Sequence, residues 1–157
     1  SKSLSPSYRL GWCLPGRFIN EYKAQFSAAS YGVALPTQLA VADFIESGQY
    51  AKHVRRRCSQ ILSLRQQYLN YLTQHLPQDV KISNPQGGMV LWLQIPNLNQ
   101  SSFVQAVADH NIDIRLGHLF STLDLYSNCL RINIGYSLEG KAKQELNDLI
   151  ELIHVHS

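Results

Sequence analysis

Cysteine is scarce in this chain, and no Cys-x-x-Cys pair occurs. Only Cys13, Cys58 and Cys129 are present, odd in number and far apart. That argues against a disulfide framework or a cysteine-built zinc site and reads as free thiols in a reducing cytoplasm. Six histidines show no metal-ligand spacing beyond His154-x-His156 at the chain end, so no metal site is expected. No apolar run approaches the ~20 residues of a membrane span, and no membrane partner is expected. The first residues lack the basic-then-apolar order of a signal peptide. The net charge of +3 is too mild to argue for nucleic acid. The run Lys52-His53-Val54-Arg55-Arg56-Arg57 has no aromatic platform near it and reads as a solvated helix face with ion pairs.

What is present is enough for a packed core. The chain has 157 residues, 45% hydrophobic and 16% charged, which is the balance of a globular domain. Leu10 to Leu14 is a short apolar run that reads as a strand, stopped by Pro15-Gly16. Phe18 to Ser27 reads as a helix in which Phe18, Tyr22 and Phe26 recur every four residues, an aromatic stripe expected in a core or a subunit interface. Thr37 is placed to cap a helix over Gln38 to Ser47, with Gly48 as its stop. A long helix follows to about Leu76, with Val54, Cys58, Ile61, Leu62, Leu69, Leu72 and Leu76 near a 3.5-residue repeat and Pro77 as terminator. At 1.5 Å per residue it would be about 40 Å long, a length suited to bridging two domains.

From Val80 the period changes to two. Val80 to Ser83 and the segment after Gly87-Gly88 read as strands, the second with Met89, Leu91, Leu93 and Ile95 on one face and Val90, Trp92 and Gln94 on the other. Ser101 or Ser102 is expected to cap a helix through His110. Ile112 to Leu116 reads as a strand. So does Cys129 to Gly135, with Leu130, Ile132 and Ile134 facing one way and Cys129, Arg131 and Asn133 the other. Ser137 is expected to cap a final helix whose apolar face holds Ala142, Leu146, Leu149, Ile150 and Ile153. The odd residue in this pattern is Arg131, between two apolar neighbours. A buried arginine is costly unless it meets an anion, either an Asp or Glu of the same domain or a substrate carboxylate gripped by both arms of the guanidinium.

Five stretches carry a resemblance. Ser1-Lys2-Ser3-Leu4-Ser5-Pro6-Ser7-Tyr8-Arg9-Leu10-Gly11 resembles the cofactor-lysine segment of fold-type I pyridoxal phosphate (PLP) enzymes, the aminotransferase superfamily. Ser47-Gly48-x-Tyr50-x-x-His53-x-Arg55-Arg56 is similar to the pattern that opens that family's linker helix, and Gly87-Gly88-Met89-Val90-Leu91-Trp92 to its Gly-Gly-Met-x-x-Trp strand. Gly117-His118-Leu119-Phe120 resembles its Pro-Gly-x-x-Phe loop, and Asn128-Cys129-Leu130-Arg131-Ile132-Asn133 the strand bearing its carboxylate-binding arginine. The resemblance implies that Lys2 is the Schiff-base lysine and, once released from the cofactor, the general base. It implies that Arg9 holds the cofactor phosphate with Ser1 beside it. It implies that Arg131 clamps a substrate carboxylate and that His118 lies where it can approach the substrate.

It implies an α/β fold. Residues 55–157 would be the small C-terminal domain, a mainly antiparallel sheet with helices on one side. Residues 1–54 would be a remnant of the large PLP-binding domain and the start of the linker helix, leaving an apolar stripe exposed. The acidic partner of the pyridine nitrogen, the ring stacked on the cofactor and the Asn and Tyr near its 3-hydroxyl have no counterpart among the matched stretches. The chain also lacks an initiator Met, and it is expected to be the C-terminal part of a longer, cytoplasmic, homodimeric protein that does not hold PLP tightly by itself. The resemblance is greatest to the aminotransferase domain of MocR-type regulators. In these a GntR-type winged helix, outside this chain, contacts DNA while the aminotransferase-like domain senses PLP or an amino compound with a carboxylate. The alternative is a free-standing aminotransferase acting on an α-amino acid and a 2-oxo acid.

Overall fold

The computed structural model describes residues 3–29, 32–123 and 125–157. Ser1 and Lys2, two of the site residues expected from the sequence, lie outside the described residues. The chain divides into two compact units, Ser1–Cys58 and Ser59–Ser157.

The first unit is helical. A 3-10 turn at Pro6–Tyr8 is followed by a segment without regular structure, then by a 3-10 turn at Gly16–Phe18 that runs into helix α1 (Ile19–Ala29). The strand expected at Leu10 to Leu14 does not form. A strand needs a partner for its backbone groups, and the described part of this unit contains none. Leu14 and Trp12 are instead 90% and 69% exposed. Helix α2 (Leu35–Glu46) starts three residues before the position that a Thr37 cap would give it. Pro36 occupies its first turn, where a missing N–H costs nothing, and the Thr37 and Gln38 amides both turn back to the Ala34 carbonyl. Gly48, at φ +75°, ends α2, and helix α3 (Gln49–His75) begins immediately after it. Of the large apolar side chains among the described residues of this unit, only Val41 is buried.

The second unit has a conventional core. Strands β1 (Lys81–Ile82), β2 (Val90–Gln94), β3 (Arg115–Leu116) and β4 (Cys129–Asn133) form one antiparallel sheet in the order β1-β2-β4-β3. The alternation in sequence decides its two faces. Leu91 and Leu93 of β2 pair with Ile132 and Leu130 of β4, and all four point inward. The end of α3 covers them with Tyr68 and Leu72, α4 (Gln100–Asp109) with Phe103 and Val107, and α5 (Gly140–His156) with Leu146, Leu149 and Ile153. All three helices therefore serve one face. Each of these large side chains contributes roughly 1.5–3 kcal/mol by leaving water.

Several boundaries shift for local reasons. The cap of α4 is Asn99, whose Oδ1 accepts from the Ser102 amide, while the Ser102 hydroxyl meets His156 Nδ1 at 2.8 Å at the end of α5. Helix α5 starts at Gly140, with Glu139 rather than Ser137 at the cap position. The run from Ile112 is strand only at Arg115–Leu116, because the Ile112 amide is used to close α4 on the Val107 carbonyl. His154 bonds the His75 carbonyl through Nε2, so the two terminal histidines serve helix packing with different partners. Among the described residues, no group of three or more His, Cys, Asp or Glu could hold a metal ion, and no helix is long and apolar enough to cross a membrane.

Candidate functional site

The face of the sheet opposite the helices carries the unusual chemistry. Antiparallel register places Trp92 of β2 and Arg115 of β3 on either side of Arg131 of β4. Arg131 is half-buried, and its Cζ lies 4.9 Å from the centroid of the Phe120 ring. Such a contact contributes about 0.5–2 kcal/mol and fixes the plane of the guanidinium. Trp92 braces the platform, meeting Phe120 edge-on at 5.3 Å and Tyr126 edge-on at 5.6 Å. Among the described residues no carboxylate pairs with Arg131, whereas its neighbour Arg115 meets Asp113 at 2.6 Å.

Phe120 reaches Arg131 because of Gly117. The 3-10 turn Gly117–Phe120 folds tightly against β4, and Gly117 is buried under the loop that returns to Cys129. A Cβ there would collide with the Tyr126 carbonyl oxygen and come within 2.8 Å of that of Cys129. The glycine is needed for close approach, not for an unusual dihedral. Beneath the platform the Cys129 thiol is buried. Burial pushes its pKa up, partly offset by a hydrogen bond with Trp92. His118, in the same turn, is half-buried and receives a hydrogen bond at Nδ1 from Gln100 Nε2 at 3.2 Å, which ties the turn to the first residue of α4.

In the first unit, Arg9 closes the Pro6–Tyr8 turn at φ +48° with its amide on the Pro6 carbonyl, and its side chain is exposed. The Ser5 hydroxyl accepts from the Ser7 amide. A guanidinium and three serine hydroxyls, at Ser3, Ser5 and Ser7, thus lie within seven residues of chain. This donor set fits the phosphate end of PLP, which takes a fork of N–H donors and hydroxyls. Sequence reasoning found the charged residues but not the aromatic support of Arg131. The signal was present in Trp92 and Phe120, each within a stretch already noted, but only the strand register shows that they converge.

Residues 1–143 match the model of the family "Aminotransferase class I and II". The chain is 29% identical over 156 residues to the HTH-type transcriptional regulator YjiR of Escherichia coli K12. It is 30% identical over 154 residues to YdcR, another HTH-type regulator of the same strain; each alignment takes in 98% of this chain and 33% of the relative. The chain thus spans about a third of the length of these relatives. Among solved structures, the multiple substrate aminotransferase of Thermococcus profundus superposes with a TM-score of 0.84 at 20% identity, over 98% of this chain and 39% of that one, a likeness of fold. The match over nearly the whole sequence, the antiparallel sheet with helices on one face and the arginine-bearing strand lead to one conclusion: this chain belongs to the class I and II aminotransferase family.

Proposed function

We propose that the chain is the C-terminal third of a GntR/MocR-type transcription regulator. Its aminotransferase-like domain holds PLP and binds an amino compound bearing a carboxylate, while a winged helix elsewhere in the protein contacts DNA. The regulator half of this reading is supported by the two HTH-type relatives. The ligand half is carried by Arg131, a half-buried guanidinium laid on Phe120 with no carboxylate partner among the described residues.

When bound, PLP supplies an electron sink for bonds at the carbon bearing the amino group. The residues of this chain would do the rest. Lys2 would hold the cofactor through Nζ, which must be neutral to react, and would move the α-proton at that same atom. Arg9, with Ser1 beside it, would hold the phosphate. Arg131 would take the carboxylate with two parallel N–H bonds and so set the angle at which the amino group is presented. His118, linked to Gln100, would fix the turn that carries Phe120 and approach the ligand from there. A homodimer is part of the proposal, with the first unit belonging to the large domain.

The test is DNA binding by the full-length protein, with and without PLP and amino acids. A shift in affinity or in DNA-bound stoichiometry supports the regulator. Rapid amino-group transfer to a 2-oxo acid with no effect on DNA supports the second reading, a free-standing aminotransferase acting on an α-amino acid. That reading is favoured by one observation: the sequence keeps both Lys2 and Arg131, residues that turnover requires.

A further inference from the structure

Two side chains of α3 grip the residue that follows Lys2. The Tyr50 hydroxyl donates to Ser3 Oγ at 2.8 Å, and His53 Nε2 lies 3.1 Å from the Ser3 carbonyl oxygen. A carbonyl only accepts, so Nε2 carries the proton in this contact. Tyr50 and His53 are three residues apart and share one face of the helix. Both are half-buried, and neither ring is loose. Phe44, in the last turns of α2, packs edge-on against Tyr50 at 6.5 Å and His53 at 6.4 Å. Gly48 lies between the two helices with a left-handed φ of +75°, which ends α2 and lets α3 start in a new direction. Ser3 itself has no regular secondary structure, so side-chain hydrogen bonds from 47 and 50 residues away hold it at both hydroxyl and main chain.

We propose that Tyr50 and His53 are positioning residues for the cofactor lysine: they hold Ser3, its neighbour in the sequence, at both hydroxyl and carbonyl. This rests on the reading of Lys2 as the PLP lysine. Neither residue needs to touch the cofactor. Their effect comes through geometry, since a lysine amine presented from a wandering backbone reaches its carbonyl partner in fewer of its conformations. In this role the Gly-x-Tyr-x-x-His pattern has a physical purpose. Glycine sets the helix start, and the Tyr and His one turn apart form a two-point clamp on a segment distant in sequence.

The experiment uses the full-length protein with PLP as the probe. It follows the visible absorption of the bound cofactor against PLP concentration and against pH. Tyr50→Phe keeps the ring and its packing on Phe44 but loses the donor. His53→Ala loses the second donor, and His53→Gln keeps an N–H. Tyr50→Phe and His53→Ala should each weaken PLP binding by about threefold to tenfold, the equivalent of one hydrogen bond, and shift the pH midpoint of the visible band. His53→Gln should recover most of the loss. Lys2→Ala is the control. If it keeps the visible band, the cofactor reading fails and the positioning role falls with it. If Lys2→Ala loses the band while Tyr50→Phe and His53→Ala bind PLP as the parent does with the same pH midpoint, the positioning role alone is overturned, even if those variants melt earlier.

Discussion

A guanidinium lying on an aromatic ring has given up part of its hydration and recovers it best from an anion in its own plane. That is the position of Arg131 on Phe120. Arg131→Lys keeps the charge but loses the fork and the stacking, so carboxylate ligands should bind about tenfold or more weakly in a direct titration. Gly117 is as constrained as Arg131. Gly117→Ala drives a methyl into two backbone carbonyls that cannot rotate away, and urea denaturation should show a loss of roughly 1–3 kcal/mol. The thiols should separate cleanly. Burial raises the Cys129 pKa, whereas Cys13 and Cys58 are exposed. Alkylation at pH 8 followed by mass spectrometry should therefore modify Cys13 and Cys58 first; equal rates at all three would contradict the buried position of Cys129. The same shift has a sign for stability. Because Cys129 and, through burial, Tyr68 hold their protons more tightly folded than unfolded, their contribution is complete below the unfolded pKa values and is lost as pH rises through the folded ones. Midpoints of thermal unfolding should fall on the alkaline side.

At the scale of the element, the core of the second unit predicts large single-residue effects. Leu72 is fully buried at the end of α3, and Leu72→Ala should cost about 2–5 kcal/mol in chemical denaturation. Asn99→Ala, which removes the cap of α4, should cost about 1 kcal/mol. These elements differ in how far the sequence discloses them. The alternation of Leu91, Leu93, Leu130 and Ile132 against Trp92 and Arg131 is a period-two pattern that a half-buried sheet requires, and it is read directly. The cap of α4 is not, because Asn99, Ser101 and Ser102 are all good capping residues. What separates Asn99 from Ser102 is His156, more than fifty residues away, which engages the Ser102 hydroxyl. The apolar run from Leu10 to Leu14 has strand composition but finds no partner strand among the described residues of its unit. Arg131 and Lys2 stand out by residue type and motif; Phe120 and Trp92 become support for Arg131 only once register and the Gly117 turn bring them to it.

At the scale of the molecule, the two units differ in how well they bury their apolar residues. The second encloses a continuous core, whereas the first leaves Phe18, Tyr22 and Phe26 at 55%, 40% and 45% exposure beside Trp12 and Leu14. Surface of this kind marks an interface. With relatives three times as long, the proposal is that the remainder of the large domain or a second copy covers it. The isolated 157-residue chain should therefore bind a hydrophobic dye more strongly per residue than the full-length protein and should not retain PLP through gel filtration.

The measurement that bears most directly on the central claim is a calorimetric titration of the PLP-loaded full-length protein with an α-amino acid and with its carboxamide. Parent protein and Arg131→Gln are compared. If Arg131 is the carboxylate clamp, the parent prefers the acid by tenfold or more, and that preference disappears in Arg131→Gln while the carboxamide binds both equally. A preference for the acid that survives in Arg131→Gln would place the carboxylate elsewhere and contradict the account.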